Sequence, residues 1–154
     1  MRAGRFVSYW VPVLAWMLLM FVGSTDILSA EHTSRFLIPF LHWLDPQISI
    51  GTIATIHVAL RKFGHLSEYA ILAALLWRGL RGSFNRASKT ILALGTFLLA
   101  AAFASSDEFH QSFVPSRTAS VHDVMIDCIG ALVAVLLCLV FSHARTQHAE
   151  AQAR

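Results

Sequence analysis

Ionisable and amide side chains gather in two short stretches of this chain that border long apolar runs. The first stretch is Arg61–Tyr69 and the second is Ser105–Gly130. A charged side chain in hydrocarbon is costly unless it is paired, hydrated or turned toward a protein interior, so such residues are candidates for binding or catalysis. The side chains that we expect to contact a ligand are Lys62, His65, Tyr69, Asp107, Glu108, Gln111, Arg117, Asp123 and Asp127.

The first stretch places its polar residues around one histidine. On a helix, Arg61 and Glu68 project on one side of His65, while Lys62 and Tyr69 project on the other, within a fan of roughly 120°. His65 could carry a proton or bind a ligand, with Glu68 as the carboxylate that orients it. The alternative is an ion-paired helix end whose basic side chains reach the headgroups. We favour that alternative for Arg61 and a role in the site for Lys62, His65 and Glu68.

The second stretch begins with two adjacent acids. If the helix continues this far, Gln111 lies one turn from Asp107 and Glu108, so the three share one edge, while His110 points elsewhere. Adjacent carboxylates near apolar surroundings repel each other unless a cation, either Lys62 or Arg117, neutralises them. A solvated helix end is the alternative interpretation.

The second stretch ends with a stripe of acids and small residues. Asp123, Asp127, Gly130 and Ala134 are spaced four, three and four apart, which aligns them on one helix face. Small residues allow close packing against a neighbouring helix, and this would aim both acids inward. Asp123 also fits a helix N-terminal capping arrangement that starts at Ser120. Asp127 has no such explanation.

Common catalytic and metal motifs are missing from the sequence. Zinc or manganese would suit imidazole with carboxylates, but neither HExxH nor CxxC occurs, so we assign no metal and no other cofactor. The GxSxG motif of serine hydrolases and the phosphate-binding glycine loop are also absent from the sequence. If the chain is an enzyme, the candidates for its acid, base or metal-binding groups are His65, Glu68, Asp107 and Glu108.

The composition indicates a membrane protein. The chain has 154 residues, of which 56% are hydrophobic and 14% charged, and we interpret it as a single domain. Its net charge of +3 comes from basic residues at the ends of apolar runs, which indicates membrane topology rather than nucleic-acid binding. The two cysteines lie ten residues apart in one helical run, too far apart to bridge each other.

The apolar runs predict an all-α, polytopic protein with four transmembrane helices. A helix needs about 20 residues to cross the bilayer core. We favour an uncleaved first helix over a signal peptide, because its apolar run exceeds the usual length of such signals. The predicted spans are 6–25, 58–77, 90–109 and 121–141.

Residues 26–57 are mixed in character. The apolar segment Phe36–Leu44 is too short to span and contains a proline, so we predict an interfacial segment. Its role could be a lid over a site, but we favour a linker on the headgroups. Residues Gln47–Leu60 read as a helix that leads into the second span.

The basic connection after the second span predicts the topology. By the positive-inside rule, this connection, both termini and a frayed polar tail at 143–154 are cytoplasmic. The protein would lie in the bacterial inner membrane, with its polar stretches at the outer side. The basic residues of this connection, which we predict to be a loop from Arg78 onward, are Arg78, Arg81, Arg86 and Lys89.

These motifs, in their order and spacing on consecutive helices, resemble the VanZ-like family of bacterial membrane proteins over nearly the whole chain. The resemblance implies a single VanZ-like membrane domain at residues 1–142. Members of that family are small multi-span proteins, and its name comes from reduced susceptibility to the glycopeptide teicoplanin. This sequence departs from the pattern at Asp127, where the family usually has asparagine. The matching motifs are Lys62-x-x-His65-x-x-x-Tyr69, Asp107-Glu108-x-x-Gln111 followed by Arg117, and Asp123-x-x-x-Asp127-x-x-Gly130.

Two functions of different classes follow. In the first, an outward-facing pocket binds an envelope-lipid headgroup or a cell-wall precursor, with Lys62 and Arg117 contacting anionic oxygens and the acids holding both cations in place. The alternative is a metal- or acid/base-dependent hydrolase or transferase acting on a lipid headgroup. Proton-coupled transport ranks last, because the second and fourth spans lack ionisable residues toward the inner side. Membrane lipids are the expected partners, nucleic acid is not, and the oligomeric state stays open.

Overall fold

The protein folds as a set of helices. The computed structural model describes residues 3–25, 30–115 and 119–152, and these residues contain helices but no strand. The predicted all-α class is therefore confirmed. The helices are α1 (Ala3–Gly23), α2 (Ala30–Leu44), α3 (Ile50–Ser83), α4 (Lys89–Gln111) and α5 (Val121–Gln152).

Three of the helices are long and apolar enough to cross a membrane. The qualifying segments are Phe6–Gly23 in α1, Lys89–Gln111 in α4 and Val121–Ala144 in α5. Large apolar side chains on these helices face outward, as Leu14 (62% exposed) and Leu98 (56% exposed) illustrate. Extended apolar surfaces of this kind are rare on soluble monomers and suit contact with lipid. The chain is a membrane protein, and a crossing by α3 remains a prediction.

Helix α3 is central to the fold because it packs against each of the other helices. Its first turn is capped by Ser49, whose side chain accepts a hydrogen bond of 3.1 Å from the backbone N–H of Thr52. With 34 residues, it is longer than the roughly 20 residues that a bilayer core requires. The helix predicted at Gln47–Leu60 and the second predicted span are therefore parts of one continuous helix.

The loop predicted from Arg78 onward begins only after Ser83. The helix continues through Gly82, where the absence of a side chain allows α1 to pack closely. A Cβ on Gly82 would lie 2.5 Å from the Tyr9 ring. Glycine thus serves helix packing here rather than a turn, and the connection shortens to residues 84–88.

Small residues bring α3 and α5 together. Gly130 is buried, and a Cβ there would clash with the backbone of Leu66. Ala131 is fully buried and Ala134 is 7% exposed. The prediction that this face of the fourth span packs against a neighbouring helix is confirmed.

The predicted interfacial segment and much of the predicted frayed tail are helical. Residues 30–44 form α2, with Pro39 inside the helix and Phe36 82% exposed. An amphipathic helix with exposed aromatic residues fits the predicted interfacial position. Residues 143–152 of the predicted frayed tail continue α5. They include three alanines, two glutamines and one glutamate, which favour helix.

Candidate functional site

The polar stretches converge on one cavity of about 660 Å³, lined by residues from α1 through α4 and by Ser24. One part of its wall is polar, and the other part is apolar. The polar lining includes Arg61, His65, Glu68, Asp107 and Gln111. The apolar lining includes Met20, Phe36, Leu37, Phe40 and Leu60.

A buried pair from α3 and α5 lies at this cavity. Nδ1 of His65 and Oδ1 of Asp127 are 3.1 Å apart and hydrogen-bonded. His65 is 7% exposed and Asp127 is fully buried. The carboxylate that orients His65 is therefore Asp127, whereas the sequence prediction named Glu68, which lines the cavity instead. The close approach of α3 and α5 at Gly130 brings Asp127 within reach.

Arg61 brings a guanidinium group to the cavity wall. Its guanidinium donates to Oδ2 of Asp123 at 3.0 Å, and its side chain is 27% exposed. The predicted ion pairing of Arg61 is therefore confirmed, while its reach toward the headgroups stays a prediction. Lys62 is exposed and does not line the cavity. The two neighbours diverge because consecutive residues on a helix point about 100° apart.

Glu108 links α4 to the start of α5. Its Oε2 accepts a hydrogen bond of 2.8 Å from the backbone N–H of Ser120, while the Ser120 hydroxyl accepts one of 3.1 Å from the N–H of His122. In a capping box, the acid of the same helix would accept the first of these bonds. Because Glu108 occupies that position from another helix, Asp123 is available to pair with Arg61.

Asp107 and Gln111 form a second buried pair on α4. Nε2 of Gln111 donates to Oδ2 of Asp107 at 3.1 Å, and the residues are 1% and 6% exposed, respectively. Asp107 and Gln111 share one helix edge, as their spacing predicted. Glu108, which was predicted on the same edge, turns toward α5 instead. His110 points elsewhere, as predicted, and its ring lies 4.5 Å from that of Phe21.

The site contains more buried acceptors than the described residues satisfy. At the site, four buried acceptor oxygens have no hydrogen-bond partner among the described residues: Oδ1 of Asp107, Oε1 of Glu108, Oε1 of Gln111 and Oδ2 of Asp127. The hydroxyl of Tyr69 is also buried without a partner there, but this residue belongs to the core beside Phe103 and does not line the cavity. A buried acceptor without a donor is energetically unfavourable.

Three of the predicted site residues form a potential metal-binding cluster. One ligand atom each from His65, Glu108 and Asp127 lies within 4.8 Å of the other two, and all three residues are buried. Asp123 lies one turn away on the face of α5 that carries Asp127.

The structure adds Thr33 and His57 to the residues around the cavity. Oγ1 of Thr33 and Nε2 of His57 are 2.9 Å apart, which connects α2 to α3 at the cavity. No spacing in the sequence predicts this contact, whereas Arg61 could have been identified from its four-residue separation from His65. The predicted ligand residue Arg117 lies outside the described residues.

One comparison with known proteins identifies a family. The family model VanZ/LLP1 matches residues 9–142, which is nearly the whole chain. Neither the curated proteins nor the solved structures include a significant match. The motifs that resemble the VanZ-like family fall within the matched range, and the chain belongs to the VanZ/LLP1 family.

Proposed function

We propose that this protein binds the polar group of an envelope lipid or a lipid-linked cell-wall precursor in the cavity beneath α2. One observation carries the proposal: a single cavity offers both an apolar and a polar wall. Phe36, Leu37 and Phe40 of α2 provide apolar contact, and His65 and Asp107 provide polar groups. Amphiphilic molecules match this combination, because each part finds a wall of its own polarity.

The polar wall favours a ligand rich in hydrogen-bond donors. Arg61 contributes the positive charge, but it is engaged with Asp123. Glu68, Asp107 and Gln111 contribute oxygens that accept hydrogen bonds. Hydroxyl or amine groups of a sugar, peptide or amine headgroup suit these acceptors better than a bare phosphate does. The exposed position of Lys62 shifts the proposal from an anionic ligand toward a donor-rich one.

The same proposal places the cavity at the outer side of the bacterial inner membrane, with both termini in the cytoplasm. It is supported by the basic residues at the opposite end of the bundle, since such residues are enriched on the cytoplasmic side. The resemblance to the VanZ-like family links the proposed binding to glycopeptides of the teicoplanin type. The basic residues are Arg78, Arg81, Arg86 and Lys89.

Native mass spectrometry of the detergent-extracted protein tests the binding. A Cβ at Gly64, which lines the cavity, would meet nothing within 4 Å, so Gly64→Leu places a side chain in the cavity without a clash at its base. We expect the wild type to retain a lipid that Gly64→Leu loses. Gly4→Leu is the matched control, because Gly4 is equally open and lies outside the cavity. Equal retention by both variants would refute binding in this cavity.

A second candidate function is favoured by the pair of His65 and Asp127. A carboxylate that holds one ring nitrogen orients the imidazole and leaves the other nitrogen available as a general base. Such a group beside a lipid-binding cavity would suit a hydrolase or transferase acting on a headgroup. The test is the release of water-soluble headgroups from extracted membrane lipids. Release by the wild type that His65→Gln abolishes would support catalysis, and intact lipids throughout would contradict it.

A further inference from the structure

We propose that His65, Glu108 and Asp127 bind a divalent transition-metal ion beside the cavity. Imidazole with carboxylates is a donor set that suits zinc or manganese. The three residues come from α3, α4 and α5, so the ion would join three helices that contribute to the core. Because it concerns a metal, this inference does not depend on whether the cavity binds a lipid.

The geometry of the three side chains supports the site. Their ligand atoms lie within 4.8 Å of one another. Ligands at about 2.1 Å from a tetrahedral zinc ion are about 3.4 Å apart, so the side chains must close by no more than about 1.4 Å. Small rotations about side-chain bonds achieve such a change. The backbone is held in place, because α3 and α5 meet at Gly130 and Glu108 bonds to the N–H of Ser120.

The unpartnered oxygens point to a cation. Oε1 of Glu108 and Oδ2 of Asp127 are buried without a hydrogen-bond donor among the described residues. These two side chains are 5% and 0% exposed, respectively. A carboxylate can only accept hydrogen bonds, so a donor or a cation must compensate for its lost hydration. The hydrogen bonds of both residues use their other oxygen, and the orphaned one is free to bind an ion.

The surrounding charges also favour a cation. Asp107 and Gln111 add two further buried oxygens without a donor in the described part of the chain. Among the residues that line the cavity, Arg61 carries a permanent positive charge, and it forms an ion pair with Asp123. A divalent ion would therefore neutralise the negative charge of Glu108 and Asp127, neither of which pairs with a Lys or Arg residue in the described part of the chain. The competing explanation is that the carboxylates hold protons in place of a metal.

Metal analysis of the full-length protein in detergent distinguishes these explanations. The protein is stripped with a chelator, dialysed against Zn²⁺ or Mn²⁺, and measured by elemental mass spectrometry and thermal unfolding. We expect one ion per chain and an unfolding temperature that rises with metal concentration. Mg²⁺ serves as a comparison, because it prefers oxygen ligands and keeps its waters. If the chain takes up neither Zn²⁺ nor Mn²⁺ and its unfolding temperature does not change, the proposal is wrong.

Three near-isosteric variants locate the ion: His65→Gln, Glu108→Gln and Asp127→Asn. Glu108→Gln keeps an acceptor for the N–H of Ser120, so the start of α5 is preserved. Each variant should weaken metal binding by at least about tenfold, since changes in outer-shell partners alone cost about 10- to 100-fold. His122→Gln, at an exposed histidine, is the control for adventitious binding. Wild-type affinity in all three variants would overturn the assignment, and Gly64→Leu should leave metal binding unchanged even if it abolishes lipid retention.

Discussion

At the scale of single residues, the site depends on which neighbour faces inward. Arg61 and Lys62 are adjacent and both basic, yet only Arg61 lines the cavity. Asp127 shows a similar division between its two oxygens. Its Oδ1 bonds to His65, which an asparagine oxygen could also do, whereas its Oδ2 has no donor among the described residues. An aspartate at this position therefore differs from an asparagine mainly at Oδ2.

A double-mutant cycle tests the pair of Arg61 and Asp123. We expect Arg61→Gln and Asp123→Asn each to lower the unfolding temperature, and the double variant to lower it little further. The coupling free energy should be about 1–2 kcal/mol, because the bond is charge-assisted and partly shielded from solvent. Thermal unfolding in detergent measures it. Lys62→Gln combined with Asp123→Asn is the control and should be additive, and additivity in the Arg61 cycle would show that the pair contributes nothing.

At the scale of helices, the contact between α3 and α5 positions His65 against Asp127. Gly130 permits this contact, because any side chain there would meet the backbone of Leu66. Helix α2 contributes differently. It lines the cavity with Phe36 and Phe40 and is linked to His57 of α3. Of the two roles considered for this segment, these contacts favour a lid over the cavity rather than a linker on the headgroups.

Two glycine-to-alanine substitutions in α3 and α5 should have opposite effects on stability. Alanine is favoured over glycine inside a helix by about 0.5–1 kcal/mol. Gly64→Ala should therefore stabilise the protein, because its Cβ meets nothing within 4 Å. Gly130→Ala should destabilise it by about 1–3 kcal/mol, since the Cβ forces the two backbones apart. Thermal unfolding of both variants checks the signs, and a stable Gly130→Ala protein would contradict the close contact.

At the scale of the whole molecule, the number of membrane crossings depends on α3. This helix has 34 residues but carries several charges, and it is not among the helices that qualify as apolar spans. Its residues Arg61, His65 and Glu68 face the cavity, so they do not have to enter lipid. Lys62 is exposed but lies near the start of the predicted span. We therefore predict that α3 crosses the membrane as a fourth span.

Cysteine labelling from the two sides of the membrane tests this topology. In a background of Cys128→Ala and Cys138→Ala, a single cysteine is introduced as Asn85→Cys or Ser112→Cys, both at exposed positions. If α3 crosses and the termini are cytoplasmic, an impermeant maleimide should label position 112 in intact cells and position 85 only after permeabilisation. The reverse pattern would contradict this topology, either because α3 does not cross or because the bundle is inserted in the opposite orientation.

The sequence by itself determined the helical class, the membrane environment and the helix faces. Long apolar runs favour helices in lipid, because every backbone polar group is then satisfied within the helix. The regular turn of the helix also aligned Asp127 with Gly130, and Asp107 with Gln111, as the structure shows. These features depend on local spacing, which can be read directly from the chain.

Only the tertiary structure decided which groups meet. Asp127 reaches His65 because Gly130 lets α5 approach α3, and Glu108 takes the place of Asp123 at the start of α5. Both contacts join residues on different helices, and their distances depend on how those helices pack. Spacing along one helix could therefore name the residues of the site but not their partners.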